Sequence, residues 1–335
     1  MLNNSMKILY FTNMYPSKPG SYSGIFIKKE IEELKKIGLK VECLFVNGKE
    51  SKLNYLNIFR IMTALKDNYD IINVHHSLLL PHTLFLRKIL NLDIPVVFTL
   101  HEGELGYLGK AMNIQSYIFH SKLWRKPLFQ YVDLIIAKNI DIFEKMQVNV
   151  KCVEIPTSAD TEMFQPITKE IARKHLGIPD KEFILFFPAD KYRPEKNYSF
   201  IEHLIPKIKD NIQKNVTLLN GPIPYEKMVW FYNAADIIIF PSFYECSPVV
   251  IKEAMACNRP IVASNVGDIK RVIGNILGCY VIDGWNEEEY ITHILRAAQI
   301  VSTDGRKRIF EQGYDWIQTG KKIYDTFMTV INNYS

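Results

Sequence analysis

The chain has 335 residues, with 41 Lys+Arg against 36 Asp+Glu for a net charge of +5, and it is 47% hydrophobic and 12% aromatic. That composition supports a packed core and excludes disorder as the main state, and the length favours two domains of roughly 100–200 residues each. Five scattered cysteines (Cys43, Cys152, Cys246, Cys257 and Cys279) include no close pair. They fit neither a disulfide framework nor a thiolate zinc site and point to a reducing compartment. The apolar runs, such as 237–240, are far shorter than the ~20 residues of a membrane span. Lys7 followed by a short run broken at Asn13 and Pro16 makes a poor signal peptide, so a cytoplasmic protein is expected.

In chain order, strands are predicted at 8–11, 41–46, 71–75, 96–100, 134–137 and 152–155, then at 183–187, 216–219, 237–240, 261–263 and 280–282. Amphipathic stretches lie between them. Ile27, Ile31, Leu34 and Ile37 recur at helical spacing, with Gly38 as the expected C-cap. Near-continuous apolar strands separated by helices predict parallel sheets covered on both faces. Two such sets, breaking near 156–180, predict two Rossmann-like domains. Charge divides unevenly at the break. Residues 1–158 carry 20 Lys+Arg and 14 Asp+Glu (20 − 14 = +6), and the remainder 21 and 22 (21 − 22 = −1). A basic first domain suits an anionic surface or acceptor; the alternative is solvated surface charge with no partner.

The densest chemistry lies at 234–267, AADIIIFPSFYECSPVVIKEAMACNRPIVASNVG, read as strand, loop, helix, turn and strand. Ser247 is expected as N-cap with Pro248 as the first helical residue, and Asn258 as the left-handed closing residue. The first turn then offers the N–H groups of Val249 and Val250 to an anion. Glu245 and Glu253 flank this helix start. An ionised carboxylate only accepts hydrogen bonds, which suits sugar or ribose hydroxyls; taken alone, the two acids read equally as an exposed loop residue and an exposed helix residue.

Glu245 and Glu253 with their flanking text resemble the E-x7-E element of retaining GT4-type glycosyltransferases, the glycosyl transferases group 1 family with the GT-B fold. The resemblance implies an α/β architecture of two Rossmann-like domains whose parallel sheets face each other across an interdomain cleft. It implies an acceptor domain over 1–158, with a C-terminal helix at 315–335 packing back on it, and a nucleotide-sugar donor domain over 159–314. Glu253 would hold the nucleotide ribose. Glu245, Ser247, Val249 and Val250 would contact donor sugar and diphosphate. In ILFFPADKYRPEKN (184–197), Lys196 matches the diphosphate lysine of the family's G-R-x-x-x-E-K. The arginine role there is divided between Lys191 and Arg193, and Asp190 replaces the glycine. FTNMYPSKPGSYSGIFIKKE (11–30) resembles the loop after the first strand, so Ser23 and Gly24 would bring backbone close to phosphate or acceptor. In VVFTLHEGE (96–104), His101 matches the histidine that contacts the donor sugar; His75 and His76 also end a strand but match nothing firm. IPTSADTEMF (155–164) resembles the interdomain connector, keeping Asp160 and Phe164 but departing at 157–159. After Gly267 the family often continues with a second glycine and a glutamate, where this chain has Asp268–Ile269–Lys270–Arg271.

The implied reaction is metal-independent, retaining transfer of a sugar from a nucleoside-diphosphate sugar, UDP-linked by default, to a glycan or lipid-linked acceptor in cell-surface polysaccharide or glycoconjugate synthesis. No cofactor is expected beyond the nucleotide sugar as substrate. No acidic DxD-type cluster or His/Cys set with ligand spacing is apparent, and no nucleic-acid motif. The segment 107–126 mixes Tyr117, Ile118, Phe119, Leu123 and Trp124 with Lys122, Arg125 and Lys126. It suits peripheral contact with an anionic bilayer, or else a buried helix with a solvated basic end. Two rival readings remain: a non-catalytic glycosyltransferase-like nucleotide-binding subunit, and a nucleotide-sugar 2-epimerase.

Overall fold

A computed structural model of the chain describes residues 6–16, 24–48, 50–51, 54, 63, 65, 68–101 and 127–334. Ser23 and the basic aromatic segment 107–126 lie outside the described residues. The chain divides into two compact units. Of the described residues, the first comprises those up to 156 together with 317–334, and the second comprises 157–316.

The first unit contains a six-stranded sheet of β1 (Lys7–Thr12), β2 (Lys40–Phe45), β3 (Ile71–Val74), β4 (Val96–Leu100), β5 (Leu134–Ala137) and β6 (Cys152–Glu154), in the order β2-β1-β3-β4-β5-β6. Every pairing is parallel. β3, β4 and β5 are buried at every residue, as strands covered on both faces must be, whereas the edge strands β2 and β6 show exposed positions. Helices α1 (Ile25–Lys36), α2 (Leu80–Ile89) and α3 (Ile140–Met146) connect the strands. α1 ends as its spacing predicts, with Gly38 at φ 94° just past the last turn.

The second unit holds a five-stranded parallel sheet of β7 (Phe183–Phe186), β8 (Val216–Leu219), β9 (Ile237–Phe240), β10 (Ile261–Ser264) and β11 (Cys279–Ile282), ordered β11-β10-β9-β7-β8. Its helices are α4 (Lys169–Leu176), α5 (Tyr198–Ile212), α6 (Met228–Ala234), α7 (Val249–Ala256), α8 (Ile269–Ile273), α9 (Glu287–Ala297) and α10 (Gly305–Gln312). Its core interleaves Phe183, Leu185, Ile237, Ile239 and Val262 of the sheet with Ile201 and Leu204 of α5 and Tyr290 and Ile294 of α9. The last helix, α11 (Trp316–Tyr334), returns to the first unit, where Ile323, Tyr324, Phe327 and Val330 pack with Ile8, Ile31 and Leu34.

Candidate functional site

In an open parallel sheet, ligands sit beyond the carboxyl ends of the strands where the strand order reverses. In the second unit that point lies between β7 and β9, so the loops leaving these two strands are brought side by side. The β7 loop carries Lys191, Arg193 and Lys196, and the β9 loop carries Glu245 and Ser247. A 3-10 turn, Pro194–Lys196, closes on Asn197 in the left-handed conformation (φ 57°), which also opens α5. This turn directs the buried Lys196 inward, where its Nζ donates to Glu245 Oε1 at 2.5 Å and lies 5.4 Å from the Phe240 ring centroid. The two residues are 49 positions apart in sequence, and the sheet order is what joins them. The other two cations of the loop are exposed. Arg193 donates through Nε to Glu195 Oε1 at 2.6 Å, while the Lys191 ammonium lies 5.3 Å and 5.8 Å from the rings of Tyr192 and Tyr198.

The start of α7 differs from expectation by one residue. Pro248, extended at ψ 118°, is the N-cap, and the helix begins at Val249. Ser247 does not cap it. Its hydroxyl is drawn away by tertiary partners, donating to Asp268 Oδ2 at 2.6 Å and accepting from Lys252 Nζ at 2.8 Å. Val249 and Val250, both half-buried, are thus the first two residues of the helix, and their N–H groups belong to the turn that has no intrahelical acceptors. Asn258 closes the helix at φ 55°, as expected.

Glu253 is buried, not an exposed helix residue. Tyr232 donates to its Oε2 at 2.8 Å, and its buried Oε1 has no hydrogen-bond partner among the described residues. Burial pushes this carboxyl up to about 7, against the downward pull of the Tyr232 and Tyr225 hydroxyls. Phe164 of the connector packs edge-on against both Tyr232 and Tyr225, with centroids 5.6 Å and 5.5 Å away, so the connector supports the residue that holds Glu253. A buried carboxylate oxygen with an open acceptor site is suited to a ligand hydroxyl.

Gly24 and His101 belong to the first unit. Gly24 opens α1 at φ 76°, and a Cβ there would lie 2.4 Å from the Met14 carbonyl carbon, so close backbone approach demands glycine. His101 follows β4 and is buried, with Nε2 3.1 Å from His75 Nδ1, which follows β3. Beneath the two rings lies a cluster that sequence reasoning missed. Glu30 accepts from Tyr10 Oη at 2.7 Å and from Lys138 Nζ at 3.0 Å, and His75 Nε2 stands 4.0 Å from Glu30. Burial holds both histidines well below the ordinary imidazole range, and the Lys138 ammonium adds to the effect. The signal for Glu30 is legible in hindsight: it falls on the Ile27, Ile31, Leu34 stripe of α1, where a charge must find a buried partner. Among the described residues, no group of three or more His, Cys, Asp or Glu is arranged to hold a metal ion.

Residues 191–299 match the family model described as glycosyl transferases group 1. The chain is 23% identical over 341 aligned positions to the putative teichuronic acid biosynthesis glycosyltransferase TuaC of Bacillus subtilis, covering 80% of this chain and 83% of that protein. It is 21% identical to the D-inositol 3-phosphate glycosyltransferase of an Arthrobacter species, covering 53% of this chain and only about half (50%) of that relative. Among solved structures, sucrose-phosphate synthase from Thermosynechococcus elongatus superposes with a TM-score of 0.79 at 16% identity, covering 98% of this chain and 100% of the other. HepE of Anabaena, solved with UDP, gives 0.71 at 17% identity, over 97% and 100%. The two-sheet α/β fold is that of GT-B glycosyltransferase structures, and the stretch that matches the glycosyl transferases group 1 model lies within the second unit.

Proposed function

We propose that the protein transfers a sugar from a nucleoside-diphosphate sugar, UDP-linked by default, to a glycan or lipid-linked acceptor, retaining the anomeric configuration and needing no metal. The observation that carries this reading is the meeting of Lys196, Glu245, the first turn of α7 and the buried, open Oε1 of Glu253 on one rim of one sheet. Glu253 accepts from ribose hydroxyls. As the glycosidic C–O bond breaks, negative charge grows on the leaving diphosphate; Lys196 and the N–H groups of Val249 and Val250 stabilise it, with Lys191 or Arg193 as a further cation. Preorganised donors of this kind carry much of the rate enhancement in charge-developing reactions. Glu245 holds Lys196 in place and accepts from the donor sugar. His101 is assigned to the donor sugar and Gly24 to the backbone approach after β1. Two similarities support the substrate class: HepE was solved with UDP and with UDP-glucose, and TuaC is named for teichuronic acid biosynthesis. The latter favours a cell-surface polysaccharide product. Among the described residues no helix is long and apolar enough to cross a membrane, and peripheral contact is assigned to the basic N-terminal part.

The deciding experiment is a thermal-shift panel of UDP, GDP, ADP, CMP and dTDP, with and without EDTA, followed by release of the selected nucleotide from its sugar conjugates. A ligand at 100 times its Kd adds about 2.7 kcal/mol, a shift of several degrees. A selective, EDTA-insensitive shift followed by nucleotide release supports the assignment. Binding without release with any sugar or acceptor extract points instead to a non-catalytic nucleotide-binding subunit.

A further inference from the structure

Two places where the chain departs from the pattern it resembles, Thr157 in the connector and Asp268 after Gly267, come together on a single side chain, Ser247. Thr157 N donates to Ser247 Oγ at 3.2 Å, and the Thr157 hydroxyl bonds both the Oγ (3.0 Å) and the carbonyl of Ser247. Ser247 Oγ donates to Asp268 Oδ2, and Lys252 Nζ donates to both, at 2.8 Å and 3.1 Å. Asp268 stands at the N-cap of α8 yet makes no side-chain cap bond there; its carboxylate is committed to this network instead. Its backbone N–H donates to the Cys246 carbonyl at 3.1 Å, and Gly267, at φ 59°, lies so near that a Cβ would come within 2.5 Å of the same oxygen.

Lys252 and Asp268 are fully buried, with side-chain exposures of 0% and 1%. Lys252 interrupts the apolar run of α7, and burial pulls its ammonium below the ordinary lysine range while Asp268 opposes that shift. A buried ion pair is a poor route to stability, because desolvation offsets the attraction and an apolar pair of similar volume serves as well or better. Such a pair is better explained by what it fixes. Here it fixes residues 246 and 247, with the Glu245 carboxylate on one side and the first-turn N–H groups of α7 on the other.

We propose that Lys252 and Asp268 are positioning residues for the diphosphate: through Ser247 they lock the 245–248 turn so that the first-turn N–H groups of α7 that follow it meet the terminal phosphate of the nucleotide. This rests on the donor-site reading above. Glu253, the proposed ribose contact, is held by Tyr232 and not by this network, so the loss falls on the terminal phosphate and not on the nucleoside.

The test compares Kd for UDP and UMP, with GDP and GMP in parallel, in the wild type and in the neutral pair Lys252→Met/Asp268→Asn. That double substitution removes both charges and strands neither. The expected result is a Kd for the diphosphate raised tenfold or more while that for the monophosphate stays within threefold. Equal effects on both nucleotides, or none on either, overturn the proposal while leaving the donor site standing. A wild type that binds none of the four overturns the donor site, and this inference with it. Should the double variant not fold, Ser247→Ala removes only the hydroxyl at the centre of the network, and the same split or its absence decides the question.

Discussion

Lys196 Nζ and Glu245 Oε1 face each other at 2.5 Å in a buried site, and under the proposed function the anion would have to share this cation with an arriving diphosphate. The two partners therefore respond differently to substitution. Lys196→Met removes the cation and leaves a buried carboxylate unpaired, and nucleotide release from the sugar conjugate should fall ~10²–10³-fold. Glu245→Gln removes a competitor for Lys196, so UDP affinity should rise about threefold to tenfold even as turnover falls. Calorimetry and nucleotide release read the two quantities separately. Turnover of the Lys196→Met protein within twofold of wild type would remove Lys196 from the site.

Glu253 ties function to pH. Its carboxyl sits at about 7 in the folded protein, against about 4.3 in an unfolded chain, so the folded state binds the extra proton between these values. That stability is fully present below the unfolded value and is lost as pH rises through 7, an effect of about 4 kcal/mol. If Glu253 holds the ribose as proposed, the hydroxyls bind its ionised form, so nucleotide affinity should rise from pH 6 to 8, with a proton released on binding at pH 6. Glu253→Gln should melt higher than wild type at pH 8 and bind nucleotide at least tenfold more weakly. Proton release is measured by calorimetry in buffers of different ionisation enthalpy, and a count of zero at pH 6 would contradict the ribose assignment.

The fold was legible because its strands are buried on both faces. A run such as Ile237–Phe240 has no polar face to blur it, and each of the eleven predicted strands corresponds to an observed one. The residues proposed to meet the phosphates were legible only through their local text. What escaped the sequence were charges whose partners are distant along the chain. Glu30 and Lys138 are 108 positions apart, and Lys252 reads as an ordinary helix lysine until β10 and its loop deliver Asp268. The cap at Ser247 failed for the same reason: a local propensity lost to three tertiary partners.

The Glu30–Lys138 pair makes a stability prediction free of any ligand. Both side chains are 2% exposed, and Tyr10 donates to the same carboxylate. Lys138→Met strands a buried anion and should cost ~3–5 kcal/mol. Adding Glu30→Gln should restore most of that loss. Urea unfolding of the single and double variants measures the coupling, and a single-variant loss below about 1 kcal/mol would mean that the pair is solvated in solution.

The histidine pair predicts the opposite pH trend from Glu253. His75 and His101 are each held well below the unfolded value of about 6.5 by burial, reinforced by the Lys138 charge. The unfolded chain therefore takes up protons first. The stability contributed by the neutral rings is present above about 6.5 and is lost as pH falls toward the folded values, at about 1.4 kcal/mol per pH unit for each ring. His75 is the more constrained of the two, stacked 4.7 Å from Tyr10 with its Nδ1 on His101. His75→Gln keeps a polar group but no longer titrates, so it should destabilise the protein at pH 7 while flattening the loss between pH 6.5 and 5. Measuring the difference between variant and wild type at each pH cancels the contribution of Glu253. Parallel pH curves for the two proteins would show that His75 carries its proton equally well folded and unfolded, and the buried neutral pair would have to be abandoned.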